Sequence, residues 1–132
     1  MSTLNVSNIT DGTTTVGTSY VVNGSAKAWV NFNGQGTIAA RDSLNLSSLT
    51  DSGTGTFQIN FTNGFSDTNY LFTSATSTSS GGEGDINVRN ESVTATTGMW
   101  PIRTGVPGTA GSTTLTNRDK LYIFCSFHGD LA

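Results

Sequence analysis

The stretch "AKAWVNFNGQGTIAARDSLNL", residues 26–46, decides between two readings of the chain. Asn33-Gly34-Gln35-Gly36 is either a backbone cradle for a phosphate or the bend of a hairpin. A cradle needs glycines that run into a helix, whose amino-terminal N–H groups face the anion. The segment after Gly36 carries no apolar stripe at 3.6-residue spacing and no Gly-Lys-Ser/Thr. It alternates instead, with Leu44 and Leu46 on one face of a predicted strand. Before the glycines, Ala28, Val30 and Phe32 point one way, and Lys27, Trp29 and Asn31 the other. The stretch reads as two strands joined by a turn.

The same pattern continues outward. Leu49 is out of phase with Leu44 and Leu46, which predicts a bulge near Ser47-Ser48. "TDSGTG" (50–55) is a glycine-rich hairpin connection, and in "TFQINFT" Phe57, Ile59 and Phe61 share one face. "NYLFTSA" (69–75) comes next, then the loop "TSTSSGGEG", then "DINVR" (85–89) with Ile86 and Val88 expected inward. Pro101 cannot donate a ladder hydrogen bond, so Met99-Trp100-Pro101 is expected on an edge or in a loop. The last strand, "KLYIFCSFHG" (120–129), is apolar on both faces, with Leu121, Ile123, Cys125 and Phe127 opposed to Tyr122 and Phe124. Such a strand is central in a sandwich or covered by another subunit. Residues 26–132 therefore read as an all-β, antiparallel β-sandwich of jelly-roll-like type. Residues 1–25 read as an extended N-terminal arm with one or two brief strands, too poor in apolar residues to hold itself in place alone. The turns in "NITDGT" (8–13) and "SLTDSGT" (48–54) echo one another as turn chemistry, not as a domain repeat.

Composition narrows the function classes. The 132 residues suit one domain with a single modest core. Ser, Thr, Asn and Gly make up about half the chain, and only 11% of residues are charged. Disordered chains lack aromatic and β-branched clusters, whereas "AWVNF", "FQINF" and "LYIFCSF" supply them here. The net charge of −3 and the scattered positions of Lys27, Arg41, Arg89, Arg103, Arg118 and Lys120 argue against a nucleic-acid partner. No apolar run approaches the roughly 20 residues of a bilayer span, and the amino end lacks the features of a secretory signal. One cysteine excludes an internal disulfide.

Reactive chemistry is sparse. Cys125 and His128 lie three apart on a predicted strand, which sends them to opposite faces, and no second Cys or His completes a zinc site. Glu83 and Asp85 in "GGEGD" could bind calcium or act as paired carboxylates, but a solvated loop accounts for them more simply. No cofactor, metal or catalytic residue is expected. The large aromatics say more. Trp29 sits on the polar side of its strand, and with Tyr122 and Phe124 it forms a candidate subunit or partner interface. Met99, Trp100, Glu83 and Asp85 form a candidate exposed contact loop, and Leu4, Val6 and Ile9 a candidate assembly strand in the arm.

"GSAKAWVNFNGQGTIAARDSLNLSSLTDSGTGTFQINFT" resembles a segment common in structural and tail-fibre-like proteins of marine tailed phages, cyanophages above all. The shared order is Lys-Ala-Trp-Val-Asn-Phe-Asn-Gly, Arg-Asp-Ser, a Ser-Ser-(Ile/Leu)-Thr-Asp turn, with Leu49 here, and an aromatic strand ending Asn-Phe-Thr. The resemblance spans about residues 24–75, and "LYIFCSFHG" and "LNVSNITDGT" are similar to the closing strand and the amino-terminal segment of such proteins. It implies a virion component without enzymatic activity, a capsid decoration or a short fibre. Its partners would be itself, as a homotrimer, and other capsid or tail proteins, with host attachment through a surface glycan as the alternative role. Fibres are much longer and begin with a docking domain, which favours a small accessory protein assembled into the virion in the host cytoplasm.

Overall fold

In the computed structural model, residues 4–77, 86–108 and 114–132 are described. Twelve elements succeed one another: β1 Asn8–Thr10, β2 Thr15–Gly17, α1 Thr18–Gly24, β3 Ala28–Asn33, β4 Ala39–Leu44, β5 Leu46–Asp51, β6 Thr56–Phe61, β7 Leu71–Ser77, β8 Ile86–Arg89, β9 Met99–Pro107, β10 Leu115–Asn117 and β11 Tyr122–His128. From β3 onward they form an antiparallel β-sandwich, as the alternation of apolar residues predicts. One sheet runs β4-β3-β11-β7. In the other, β5 pairs with β6 and β6 with β9. Arg103 is paired with both Thr56 and Val88, and Gly105 with both Ile86 and Asn117. So β6 and the short β10 succeed one another along one side of β9, while β8 takes the other side. From β3 onward, four sequential antiparallel pairs (β3-β4, β5-β6, β8-β9 and β9-β10) lie within single sheets, and the connections β4-β5, β6-β7, β7-β8 and β10-β11 carry the chain from one sheet to the other.

The core lies between the two inner faces. Ala28, Val30, Phe32, Ile123, Cys125 and Phe127 come from one sheet, and Phe57, Ile59, Phe61, Trp100 and Ile102 from the other. Phe32 meets Phe57 edge-on with ring centroids 5.5 Å apart, and Phe61 meets Phe127 at 4.9 Å. These edge-to-face pairs join the sheets and add about 0.5–1.5 kcal/mol each beyond area burial.

The Asn33–Gly36 segment is a hairpin bend. The Asn33 side-chain oxygen accepts from Gln35 N, Gly36 adopts φ +63°, and the chain returns as β4. Gly34 is required for packing, since a Cβ there would stand 2.8 Å from both Ile123 Cδ1 and Phe57 Cζ. The two echoing turns are alike in chemistry: an Asp11 carboxylate oxygen accepts from Thr13 N and Thr14 N, and one of Asp51 from Gly53 N.

Residues 37–46 are not one strand. Asn45, at φ +57°, turns the chain from one sheet into the other, so Leu44 lies outside on β4 and Leu46 packs against the core from β5. Its side chain is tied to Asn63: Oδ1 accepts from Asn63 N at 2.7 Å and Nδ2 donates to Asn63 O at 3.0 Å. Asparagine tolerates this left-handed backbone better than most residues. The predicted bulge lies at Ser47, where the register slips between Leu46↔Phe61 and Ser48↔Asn60. The slip lets Leu46 and Leu49, three apart, face the same core.

Three expectations are corrected. Val88 is not inward: it pairs with Arg103 and is exposed, while Asn87 pairs with the buried Thr104. Pro101 lies within β9 and is buried. Its carbonyl accepts from Asn90 N at 3.1 Å where β8 ends, and its ring nitrogen faces the same flank, so the missing donor falls where the ladder stops. Asn90 O accepts from Val93 N instead. The arm is not wholly extended either. β1 and β2 form a hairpin and α1 comes next, fixed by Thr18 Oγ1 donating to Val6 O and Ser7 O and by Ser25 N donating to Val21 O. Those local bonds override the β-preference of Tyr20-Val21-Val22. None of the described arm residues 4–25 is buried.

Replacing Asn45 with Ala removes the Asn63 bonds and leaves a side chain less tolerant of φ +57°, with an expected loss of about 2–3 kcal/mol. Asn45→Gly keeps the backbone freedom and is expected to lose less. Denaturant unfolding of both variants beside the parent checks that order.

Candidate functional site

The outer face of the β4-β3-β11-β7 sheet gathers the three residues expected at an interface. Because Ile123, Cys125 and Phe127 turn inward, Tyr122, Phe124 and Ser126 must turn outward. The register sets them in rows across the sheet. Leu44, Trp29, Ser126 and Thr73 form one row, and Asp42, Asn31, Phe124 and Ala75 the next. Tyr122 begins a third beside Ser77.

Phe124 is 42% exposed and Tyr122 37%, while Trp29 is half-buried. The Tyr122 and Phe124 rings are parallel within 4° at 6.4 Å. Arg41 lies over Tyr122, its guanidinium carbon 4.5 Å from the ring centroid. It is positioned by the bulge opposite Asn31 and Phe32, and its Nη2 donates to Leu121 O at 2.7 Å. Sequence reading missed Arg41, whose signal was a lone cation in an otherwise apolar-polar strand. A shallow apolar groove of about 490 Å³ runs between Trp29, Phe124 and the Thr73–Ala75 segment. Its floor includes Ser126, whose hydroxyl shares a 2.7 Å hydrogen bond with that of Thr73.

The other candidates fall elsewhere. Leu4, Val6 and Ile9 are exposed in the arm, Leu4 at 84%. Met99 is half-buried at the start of β9. Glu83 and Asp85 lie outside the described residues. Trp100 is corrected: it is not on an exposed loop but 8% exposed in the core. Its ring packs 5.0 Å from Phe72 and 5.4 Å from Tyr70, because alternation along β9 turns it toward the opposite sheet. Cys125 and His128 stand on opposite faces of β11, and burial pushes the Cys125 thiol well above its ordinary value. Among the described residues no group of three or more His, Cys, Asp or Glu could hold a metal ion, and no helix is long and apolar enough to cross a membrane.

Comparison with protein-family models, with curated proteins and with solved structures found no match.

Tyr70, stacked on Phe65 at 4.2 Å beneath Trp100, donates its hydroxyl to Thr96 O at 2.8 Å. Burial pushes its pKa up to about 12, with the nearby Arg89 charge pulling the other way. A raised folded-state value means that the neutral phenol stabilises the fold below the unfolded value near 10, and that this contribution is lost as pH rises toward 12. Tyr70→Phe is therefore expected to be less stable than the parent at pH 9, having lost the hydroxyl bond, with the gap narrowing at pH 11. Urea unfolding at the two pH values reads the difference.

Proposed function

We propose that this chain is a non-enzymatic structural protein of a tailed-phage particle, a small capsid decoration or short-fibre subunit that assembles as a homotrimer and docks through its N-terminal arm. The observation that carries the reading is the outward aromatic face of Trp29, Tyr122 and Phe124 beside Leu44. Clustered exposed aromatic residues, flattened on a rigid sheet, are the composition of interface cores. The arm supports it in a second way. Leu4, Ile9, Tyr20 and Val22 are all at least half exposed, so their apolar surface is available to a neighbour. The particle context comes from the resemblance of residues 24–75 to phage structural proteins. Trp100 takes no part in an exposed contact loop, since its ring lies inside the sandwich.

Two measurements test the reading. Sedimentation of the purified chain is expected to show a trimer, and the paired change Trp29→Ser with Phe124→Ser is expected to weaken association by about 30-fold or more while leaving the β-sheet circular dichroism intact. Removing residues 1–24 is expected to abolish attachment to particles with the sandwich still folded. A monomer at high concentration, together with attachment unchanged by the deletion, overturns it.

A further inference from the structure

The chain carries three Asn-Gly pairs, Asn23-Gly24, Asn33-Gly34 and Asn63-Gly64, and the fold treats them differently. In such a pair the glycine nitrogen can reach the preceding side-chain amide, because no Cβ obstructs the approach. Two conditions govern whether it does. The amide must be free to swing onto the backbone, and the glycine N–H must be open to solvent base.

Asn33 fails both. Its Nδ2 donates to Gln35 O at 2.8 Å and its Oδ1 accepts from Gln35 N at 3.1 Å. Gly34 is buried, and its N donates to Lys120 O at 2.9 Å. Asn63 fails the first. Its Nδ2 donates to Asn45 Oδ1 at 3.2 Å, and its own N and O are tied to the same Asn45 side chain. Gly64 O accepts from Ala132 N at 3.0 Å, which holds the peptide as well. Asn23 meets both conditions. Asn23 and Gly24 are exposed, and a Cβ built on Gly24 would meet nothing within 4 Å. Among the described residues no hydrogen bond restrains the Asn23 side chain. The pair closes α1, which spans seven residues, buries none of them and has no side-chain cap bond at its amino end. Helices shorter than about 12–15 residues are marginal in water unless packing holds them. Opening the last turn therefore frees the Gly24 N–H and disturbs no core contact.

We propose that Asn23 is a site of spontaneous covalent modification, converted through a cyclic succinimide to aspartate and isoaspartate while Asn33 and Asn63 stay intact. Gly24 N, losing its proton to solvent base, attacks Asn23 Cγ. The N–Cγ bond forms, the Cγ–Nδ2 bond breaks, and Nδ2 leaves as ammonia with a proton from water. A second water then opens the ring at one of its two carbonyls. Cleavage of N–Cγ restores the ordinary backbone with an aspartate. Cleavage at the main-chain carbonyl routes the chain through Cγ, as isoaspartate. Either product adds a negative charge at the carboxyl end of α1, where the helix dipole disfavours it, and isoaspartate lengthens the backbone by a carbon. The change falls at the joint between arm and sandwich, beside Lys27, whose Nζ donates to Ser25 O at 2.9 Å. It follows from the chemistry of that joint, whatever the arm docks on.

Peptide mass spectrometry of the full chain, aged in warm, mildly alkaline buffer, reads each site separately, with electron-based fragmentation telling the two isomers apart. Asn23 is expected to convert at least about tenfold faster than Asn33 or Asn63, which wait on opening of the sandwich. In unfolding concentrations of urea the three rates are expected to converge. Gly24→Ala, which places a Cβ beside the attacking nitrogen, is expected to slow Asn23 severalfold. Asn33 or Asn63 converting as fast as Asn23 in native buffer overturns the proposal, and so does a rate ratio that urea leaves unchanged. An Asn23 that stays intact while the urea sample converts, or one whose conversion Gly24→Ala does not slow, overturns it equally.

Discussion

Strand β11 is held on both sides, by β3 and by β7, in an unbroken register that leaves its side chains only two directions. Ile123, Cys125 and Phe127 take the inner one and meet the opposite sheet through Phe61 and Trp100. Tyr122 and Phe124 are left with the outer one. Reversing the strand would expose three core residues to bury two aromatics, which the hydrophobic effect forbids at about 25 cal/mol per Å². The outer aromatic face is thus a by-product of the core's demands, and the neighbouring strands extend it: Trp29 comes from β3 and Leu44 from β4.

A chain with few charges positions its surfaces through backbone devices. Asn45 carries the chain between sheets, Ser47 corrects the phase behind it, and the bulge in β4 aims Arg41 at Tyr122. Close approach matters as much. A Cβ on Gly55 would stand 2.4 Å from Thr104 O, and one on Gly105 would stand 2.1 Å from Thr116 O, so these glycines let the start of β6, β9 and β10 approach closely. Strand register sets the aromatic face, and the corner at Asn45 and the bulges at Ser47 and Arg41 adjust it.

Much of this was legible in the sequence, for a plain reason. Alternation of period two is strong in "KAWVNF", "TFQINF" and "YIFCSF", and each forms a strand with the expected face inward. The outward position of Trp29, Tyr122 and Phe124 comes from the same alternation. The features that stayed hidden depend on the third dimension. Leu44 and Leu46 look continuous because a left-handed corner leaves no periodic trace, and Asn45 is one asparagine among many. Trp100 reads as exposed because Pro101 suggests an edge, and only the end of β8 makes room for a proline inside β9. Val88 reads as inward because apolar character outweighs phase in a four-residue strand.

The borders of the sandwich differ in a way that bears on its behaviour at high concentration. β4 and β5 are each interrupted by a bulge, and β8 and β10 run for only four and three residues. Among the described residues, β7 is the border strand that is both long and regular, with seven consecutive partners on β11 and its far side open. Irregular or short borders are poor templates for further strands, whereas a flat one invites pairing. A fibril needs two adhesive borders to propagate. With one, growth ends at a back-to-back couple, and a crowded solution of this protein is protected from the runaway stacking to which so neutral and strand-rich a chain would otherwise be prone.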